Sequence, residues 1–328
     1  MRAITPPQLI ALTGASGLLG GAIAKRLRQA GFRVRCLLRR PEPTWQGETV
    51  LGDLADRAAL GELVKGASGV LHVAAMYRSD GPREEFMSVN RDGTERLLWA
   101  AQESGVRRFV YCSTIGVHGS VRVTPSNEDA PFDPQDAYQE SKLAAERICI
   151  GAVGKGPMEI VILRPCGIYG PGDTRLLKMF TMLQKRMFVQ IGEGSANFHP
   201  VFIDDLAEGF MRGLTVPGVD GEIFILGAAD YTPLKTLIAQ AAASLDRPPP
   251  WIRLPYKPVE LIADLCETTC RKFSIEPPLH RRRLTFFKHN RAFSIAHARE
   301  GLGYEPQVDL VEGFRRTVAW YRQQGLLK

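Results

Sequence analysis

The segment Ile10-Ala11-Leu12-Thr13-Gly14-Ala15-Ser16-Gly17-Leu18-Leu19-Gly20-Gly21 restricts what this chain can fold into more than any other stretch. An apolar strand breaks into a turn with glycines at 14, 17 and 20, and a helical pattern follows at once. A turn of this kind lets backbone approach a pyrophosphate, and the helix N-terminus behind it supplies N–H donors and partial positive charge. Thr13, Gly14, Ser16, Gly17, Leu18, Leu19 and Gly20 are therefore read as a dinucleotide cradle.

The same rhythm continues. Strands are expected at 8–13, 33–38, 49–51, 69–73, 108–112 and 159–164, and helices at 18–30, 56–65, 84–104 and 137–154. Gly31-Phe32 closes the first helix, as a glycine past a helix terminus does. The alternation predicts an α/β fold, a Rossmann-type doubly wound parallel sheet with helices on both faces. Pro165, Gly167, Gly170, Pro171 and Gly172 then interrupt it, with returns to the sheet expected near Val201-Phe202-Ile203 and Ile223-Phe224-Ile225. The expected division is a dinucleotide-binding domain over 1–165, its sheet completed by about 201–228. A smaller substrate-binding lobe comes from 166–200 and 229–310, and a C-terminal helix covers 311–328.

Tyr138-Gln139-Glu140-Ser141-Lys142 places a phenol and an ammonium four residues apart, on one face of a helix. Cradle followed by such a pair implies hydride chemistry on a carbinol or carbonyl. Tyr138 is expected to move the proton on the substrate oxygen. A phenol with a pKa of about 10 is a poor base at neutral pH, so Lys142 and an oxidised nicotinamide are expected to lower it. Thr114, ending the fifth strand, supplies a hydroxyl to the substrate oxygen, with Ser113 as the neighbouring alternative; Ser113, Tyr138 and Lys142 are also expected to contact the cofactor, Lys142 at the nicotinamide ribose. Arg39-Arg40 stand where an acidic residue would hold an adenosine 2′-hydroxyl, and a guanidinium matches a 2′-phosphate. NADP(H) is therefore favoured; with NAD(H), the alternative, both arginines are solvent-facing strand ends. Asp53, in Gly52-Asp53-Leu54, either accepts from the adenine amino group or caps the following helix. Ala74 and Ala75 let a cofactor lie against the sheet edge. His72 is expected to be structural, and Asn90 to bridge backbone groups in support.

A chain of 328 residues, 45% hydrophobic and 23% charged, can bury a substantial core. The net charge of +7 suits phosphorylated or acidic ligands and anionic membrane surfaces. Its basic residues are scattered, so no nucleic-acid partner is expected, and Arg281-Arg282-Arg283 reads as a solvated helix face. The six cysteines show no metal-ligand spacing and read as reduced, buried thiols. Met1-Arg2-Ala3-Ile4-Thr5-Pro6 leads straight into the first strand without a signal peptide, and no apolar run reaches the ~18–20 residues of a bilayer span. A cytoplasmic location is expected.

Over nearly its whole length the chain resembles the extended short-chain dehydrogenases/reductases. The resemblance is carried by the glycines at 14, 17 and 20, Asp53, His72-Val73-Ala74-Ala75, Asn90, Tyr138 with Lys142, Arg164-Pro165 and Tyr169-Gly170-Pro171-Gly172-Asp173. It implies that Pro165 to Ile168 lie beside the nicotinamide and that Asp204-Asp205-Leu206-Ala207 opens a helix. It further implies a small-molecule substrate facing Met76, Thr114, Ile115, Cys166, Gly167 and Phe198, and a homodimer. Sugar-nucleotide epimerases and dehydratases carry asparagine where this chain has Gly167 and an arginine near Phe198. The run 164–173 and the tail Ala292 to Arg299 with Leu302-Gly303-Tyr304-Glu305-Pro306 are closer to 3β-hydroxysteroid and sterol dehydrogenases and β-keto acid reductases. Val34 to Arg39 is similar to dihydroflavonol-type reductases. Steroid members often use NAD, against which Arg39-Arg40 argues for NADP.

An NADP(H)-dependent oxidoreductase of a hydrophobic alcohol or ketone is the leading expectation. A sugar-nucleotide epimerase or dehydratase, and a non-catalytic NADP-sensing regulator, are the alternatives. Residues 255–273 predict a helix whose Val259, Leu261, Ile262, Leu265 and Cys266 form an apolar stripe, closed by Arg271 and Lys272. In the steroid-dehydrogenase relatives this region covers the cavity or touches the membrane, so a lid with peripheral membrane contact is expected; an ordinary packing helix is the alternative.

Overall fold

The computed structural model describes residues 4–43, 45, 47–77, 81–272, 284 and 287–328. The strands are β1 (Leu9–Thr13), β2 (Arg33–Leu38), β3 (Glu48–Leu51), β4 (Gly69–His72), β5 (Arg108–Cys112), β6 (Glu159–Pro165), β7 (Gly167–Tyr169), β8 (Gln190–Ile191), β9 (Asn197–Phe198), β10 (Pro200–Phe202), β11 (Ile223–Leu226), β12 (Thr232–Pro233) and β13 (Arg253–Leu254). The helices are α1 (Leu18–Gln29), α2 (Arg57–Val64), α3 (Arg83–Phe86), α4 (Gly93–Glu103), α5 (Ala137–Ala152), α6 (Leu177–Gln184), α7 (Ile203–Thr215), α8 (Leu234–Ala243), α9 (Tyr256–Lys272), α10 (Ala296–Leu302) and α11 (Leu310–Gln323). Seven strands make one parallel sheet in the order β11-β6-β5-β4-β1-β2-β3. The order reverses between β1 and β4, where open α/β sheets leave a crevice at their carboxyl ends.

Why these strands sit centrally is visible in their side chains. Ile10 and Leu12 join one apolar cluster, and Leu9 and Ala11 join the other. The period of two thus feeds both faces of a sheet covered on both sides. The first cluster runs from α1 and α7 through Leu234, Leu237 and Ile238 to Phe314, Val318 and Tyr321, so the C-terminal part shares the sheet's core. Gly31 ends α1 as expected, with φ +86° and its N–H on the Arg28 carbonyl at 2.9 Å.

Three expectations need correction. Val201-Phe202 do not rejoin the main sheet: β10 pairs with β7 in a separate two-stranded ladder, and Ile203 already opens α7. Residues 84–104 form α3 and α4 joined by a π-helical stretch, Met87–Asp92, rather than one regular helix. Asp53 does not cap α2; the cap is Asp56, whose side chain accepts from Ala59 N, while Asp53 turns back on Ala55 N at 2.8 Å. The run Arg281-Arg282-Arg283 lies outside the described residues, as do the side chains of Leu265, Arg271 and Lys272. No helix of the described residues is long and apolar enough to cross a membrane.

Candidate active site

The glycine turn has the geometry of a backbone cradle. Gly14 has φ +80°, and a Cβ there would lie 2.7 Å from Ala74 N. A Cβ on Gly20 would lie 2.0 Å from the Gly14 carbonyl oxygen. Both positions are closed to any side chain, and α1 is thereby drawn against the end of β1. Gly17 caps α1 without a side-chain bond, and the first turn carries no acidic residue. The N-terminal donors of α1 are thus left for an anion, with Ser16 and Gly17 exposed beside them. Gly172 (φ +93°) brings the 169–173 segment over Leu18, where a Cβ would meet Cδ1 at 2.8 Å. The cradle fits a dinucleotide pyrophosphate.

Thr13 serves the frame rather than a ligand with its side chain. Its hydroxyl oxygen accepts from Val73 N at 3.2 Å and Ala74 N at 3.1 Å, and it bonds His72 Nδ1 at 2.7 Å. Thr94 donates to the Asn90 carbonyl at 2.5 Å, so His72 Nε2–H must be the donor to Thr94 Oγ1 at 2.9 Å. Nδ1 then accepts from Thr13. Burial pushes the imidazole down to about 3, helped by the Lys142 charge, which keeps it neutral. Asn90 sits in the π-helical stretch and clamps Met76 by both backbone groups, accepting from Met76 N at 2.7 Å and donating to Met76 O at 3.1 Å. Its amide also donates to Ser141 Oγ at 2.8 Å, tying the loop after β4 to α5. The supporting roles expected of His72 and Asn90 are the ones the bonds describe.

Asp136 starts α5 by accepting from Gln139 N at 2.9 Å, which sets Tyr138, Lys142 and Glu146 on one helix face. The Lys142 ammonium lies 4.3 Å from the Tyr111 ring centroid, fully buried. Among the described residues no hydrogen-bond acceptor reaches it, and burial lowers its pKa. A buried ammonium with free donors suits ribose hydroxyls of a bound dinucleotide. Burial holds the Tyr138 phenol well above its ordinary value in the protein alone, with Cys112, Tyr77 and Asp136 acting in the same direction. Arg175, not Lys142, is the charge that opposes this.

Thr114 and Ser113 part company. Thr114 Oγ1 accepts from Gly116 N at 3.0 Å and keeps its proton for another acceptor. Ser113 is buried and donates to Glu146 Oε2, which removes its hydroxyl as a substitute for Thr114. Glu146 in turn is paired with Arg164 Nη2 at 2.6 Å, both side chains being at most 1% exposed. Arg39 and Arg40 are exposed at the end of β2, and Asp53 is exposed while Leu54 is buried. Pro165, Cys166 and Ile115 are buried, and Ala74, Ala75, Met76, Gly167, Ile168 and Phe198 half-buried. A Cβ on Gly167 would lie 2.4 Å from Phe198 Cζ, so the aromatic ring fills the space a residue 167 side chain would need.

Sequence reasoning missed three neighbours. Tyr77 stacks edge-on to Tyr138 at 4.8 Å. Arg175 binds Asp173 Oδ1 at 2.6 Å and the Ile168 carbonyl at 2.8 Å. Arg291 is delivered by its backbone N–H on the Asn197 carbonyl at 2.9 Å. Tyr77 was open to detection, three residues past Ala74 at a carboxyl edge. Arg291 carries no local signal, because only the tertiary pairing with Asn197 brings it near.

Residues 10–227 match the NAD dependent epimerase/dehydratase family. The chain is 32% identical to the protein y4nL of Sinorhizobium fredii (strain NBRC 101917 / NGR234), covering 99% of each. It is 28% identical to a 3-beta-hydroxysteroid dehydrogenase of Mycolicibacterium neoaurum, over 95% of this chain and 91% of that one. It is also 28% identical to a 2-alkyl-3-oxoalkanoate reductase of Stenotrophomonas maltophilia (strain K279a), over 94% and 98%. Among solved structures, gox2253 superposes with a TM-score of 0.82 at 29% identity, over 98% of this chain and 100% of that one. A short-chain dehydrogenase/reductase superfamily protein from Agrobacterium tumefaciens with bound NAD gives 0.76 at 26%, over 96% and 98%.

Proposed function

The chain belongs to the NAD dependent epimerase/dehydratase family, and we propose that it is an NADP(H)-dependent oxidoreductase interconverting a secondary alcohol and a ketone on a hydrophobic substrate. The observation that carries this reading is the Phe198 ring packed where residue 167 would project. An aromatic wall stands where a polar anchor for a sugar diphosphate would be needed. The dehydrogenase and reductase relatives point the same way.

In this reading the cradle of Gly14, Ser16, Gly17, Leu18, Leu19 and Gly20 holds the pyrophosphate, and Arg39 with Arg40 faces the 2′-phosphate. Asp53 and Leu54 meet the adenine, and Ala74, Ala75, Pro165 and Ile168 flank the nicotinamide. The nicotinamide, when bound, takes or gives the hydride at the carbinol carbon. Tyr138 Oη takes the carbinol proton on oxidation and returns it on reduction. Lys142, one turn away, donates to the ribose, and Arg175 is the charge that opposes the upward pull of burial on the phenol. Thr114 donates to the same substrate oxygen. Met76, Ile115, Cys166, Gly167 and Phe198 surround the apolar body. The protein is proposed to act as a cytoplasmic homodimer, and the exposed Leu261 and Ile262 of α9 support peripheral membrane contact.

The test is absorbance of reduced nicotinamide during turnover. A net change with hydrophobic alcohols or ketones, faster with NADP(H), is expected. Conversion of a sugar nucleotide without net change would replace this reading by epimerisation, and nothing with any substrate would favour a cofactor-sensing role.

A further inference from the structure

We infer that the buried Glu146–Arg164 ion pair is a positioning device for the reaction, fixing the Thr114 hydroxyl relative to the helix that carries Tyr138 and Lys142. The inference rests on the oxidoreductase reading and adds to it two residues that act only through others.

The two residues join the elements that carry the proposed machinery. Glu146 lies on α5, one turn beyond Lys142 and two beyond Tyr138, and Arg164 directly precedes Pro165 at the end of β6. The guanidinium grips the carboxylate through two bonds, Nε to Oε2 at 3.2 Å and Nη2 to Oε1 at 2.6 Å. A fork of this kind fixes angle as well as distance. Thr114 is held to the pair from both directions along the chain. Before it, Ser113 donates its hydroxyl to Glu146 Oε2. After it comes the single 3-10 turn Ile115–His118, which Thr114 itself caps by accepting from Gly116 N at 3.0 Å. At the end of that turn His118 donates from Nδ1 to the Pro131 carbonyl at 3.3 Å, so its Nε2 accepts from Arg164 Nη1 at 3.0 Å. Nη1 also donates to the Glu128 carbonyl at 2.7 Å, and Glu128 Oε1 accepts from Ile225 N of β11 at 2.8 Å.

Stability alone does not account for this set. An apolar pair of similar volume folds about as well as a buried ion pair, since neither charge then has to leave water. What the apolar pair lacks is direction. Ser113, His118, Glu146 and Arg164 are each at most 2% exposed, so neither water nor a ligand competes for their bonds. Thr114 and Tyr138 come from different elements, the end of β5 and α5, yet both hydroxyls must meet one substrate oxygen. A misplacement of about 1 Å between such groups costs on the order of 10²-fold in rate. A second polar link between β5 and α5, Tyr111 Oη to the Lys142 carbonyl, is long at 3.3 Å. The register of the two hydroxyls therefore falls mainly to the ion pair behind them.

The experiment uses the protein–NADP complex, with 2-dodecanol and dehydroepiandrosterone as alcohol probes. It compares the wild type with Glu146→Leu combined with Arg164→Met, which keeps the packing and removes the directed bonds. Single-turnover kinetics give the hydride step, steady-state kinetics give KM, and urea unfolding checks stability. The double variant is expected to stay folded with KM and cofactor affinity within a few fold, and to slow the hydride step by at least about 10-fold. A hydride step within about 2-fold of the wild type in the folded double variant overturns the inference. If the double variant does not fold, Arg164→Lys takes its place under the same thresholds, because lysine keeps the charge and loses the fork. Amide hydrogen exchange gives a readout that needs no turnover. Gly116 N, which donates to Thr114, should exchange at least about 10-fold faster in the variant at unchanged global stability. Failure of the wild type to oxidise either probe counts against the oxidoreductase reading instead. Exchange at Gly116 then decides the role of the pair, and unchanged protection overturns it.

Discussion

Arg164→Met is expected to cost about 3–5 kcal/mol of folding stability, the usual consequence of removing one member of a buried ion pair. Arg164 is 1% exposed and its partner Glu146 0%. The guanidinium donates to Glu146 through Nε at 3.2 Å and Nη2 at 2.6 Å, and to the Glu128 carbonyl at 2.7 Å. It also contacts His118 Nε2 at 3.0 Å. Without it, among the described residues the carboxylate keeps only the Ser113 hydroxyl, too weak a partner for a charge away from water. The loss should appear in urea unfolding at pH 7 as a midpoint lowered by on the order of 1 M or more, at an unchanged slope near 3 kcal/mol per molar. Glu146→Leu combined with Arg164→Met should recover most of it, because the desolvation cost goes with both charges. A single-variant loss below about 1 kcal/mol would mean the pair is solvated, and would refute the reasoning.

Other expectations follow from individual groups. His72 is held near 3 against an unfolded value of about 6.5. The unfolded chain therefore binds more protons below pH 6.5, and stability should fall by about 2 kcal/mol between pH 6.5 and 5. NMR titration of His72 near 6.5 would contradict this. Arg39→Asp should weaken NADP(H) by about 1.5–3 kcal/mol more than NAD(H), measured by fluorescence titration; equal losses would reopen the NAD reading, with Arg40 the next residue to test. Leu261 is 69% exposed, so Leu261→Ser should leave the melting temperature nearly unchanged and raise KM if α9 covers the substrate. A large drop in melting temperature with constant KM would make α9 a packing helix.

How far the sequence carried the account depends on the range of each signal. Local signals carried well: Gly14 and Gly20 announce a turn that only glycine can make, and the period-two apolar runs announce a sheet covered on both faces. Tyr138 and Lys142 were legible as one face of α5 because that depends only on helical spacing. Asp53 was left open between an adenine contact and the cap of α2, since an acceptor just before a helix fits either role, and only the turn geometry singles out Asp56 as the cap. Ser113 and Thr114 were inseparable in sequence, since the difference is which side of the strand end meets Glu146. The second strand of the β7–β10 ladder was placed in the wrong sheet because its apolar run does not say which neighbour it will meet. Arg291 lay beyond reach for the same reason, since only its pairing with Asn197 positions it, whereas Tyr77 stood within reach of the strand-edge signal at Ala74. Burial, a tertiary property, raises the Tyr138 phenol in the protein alone, whereas the lowering expected from sequence counted on an oxidised nicotinamide as well as Lys142.

The central claim is proton transfer at Tyr138. Tyr138→Phe keeps the ring packed against Tyr77 and removes only the hydroxyl. Single-turnover kinetics with saturating cofactor and a turned-over alcohol should show the hydride step slowed by at least about 10²-fold, the scale of a positioned acid–base group. Cofactor affinity should stay within a few fold. A near-normal hydride step in Tyr138→Phe would contradict the account.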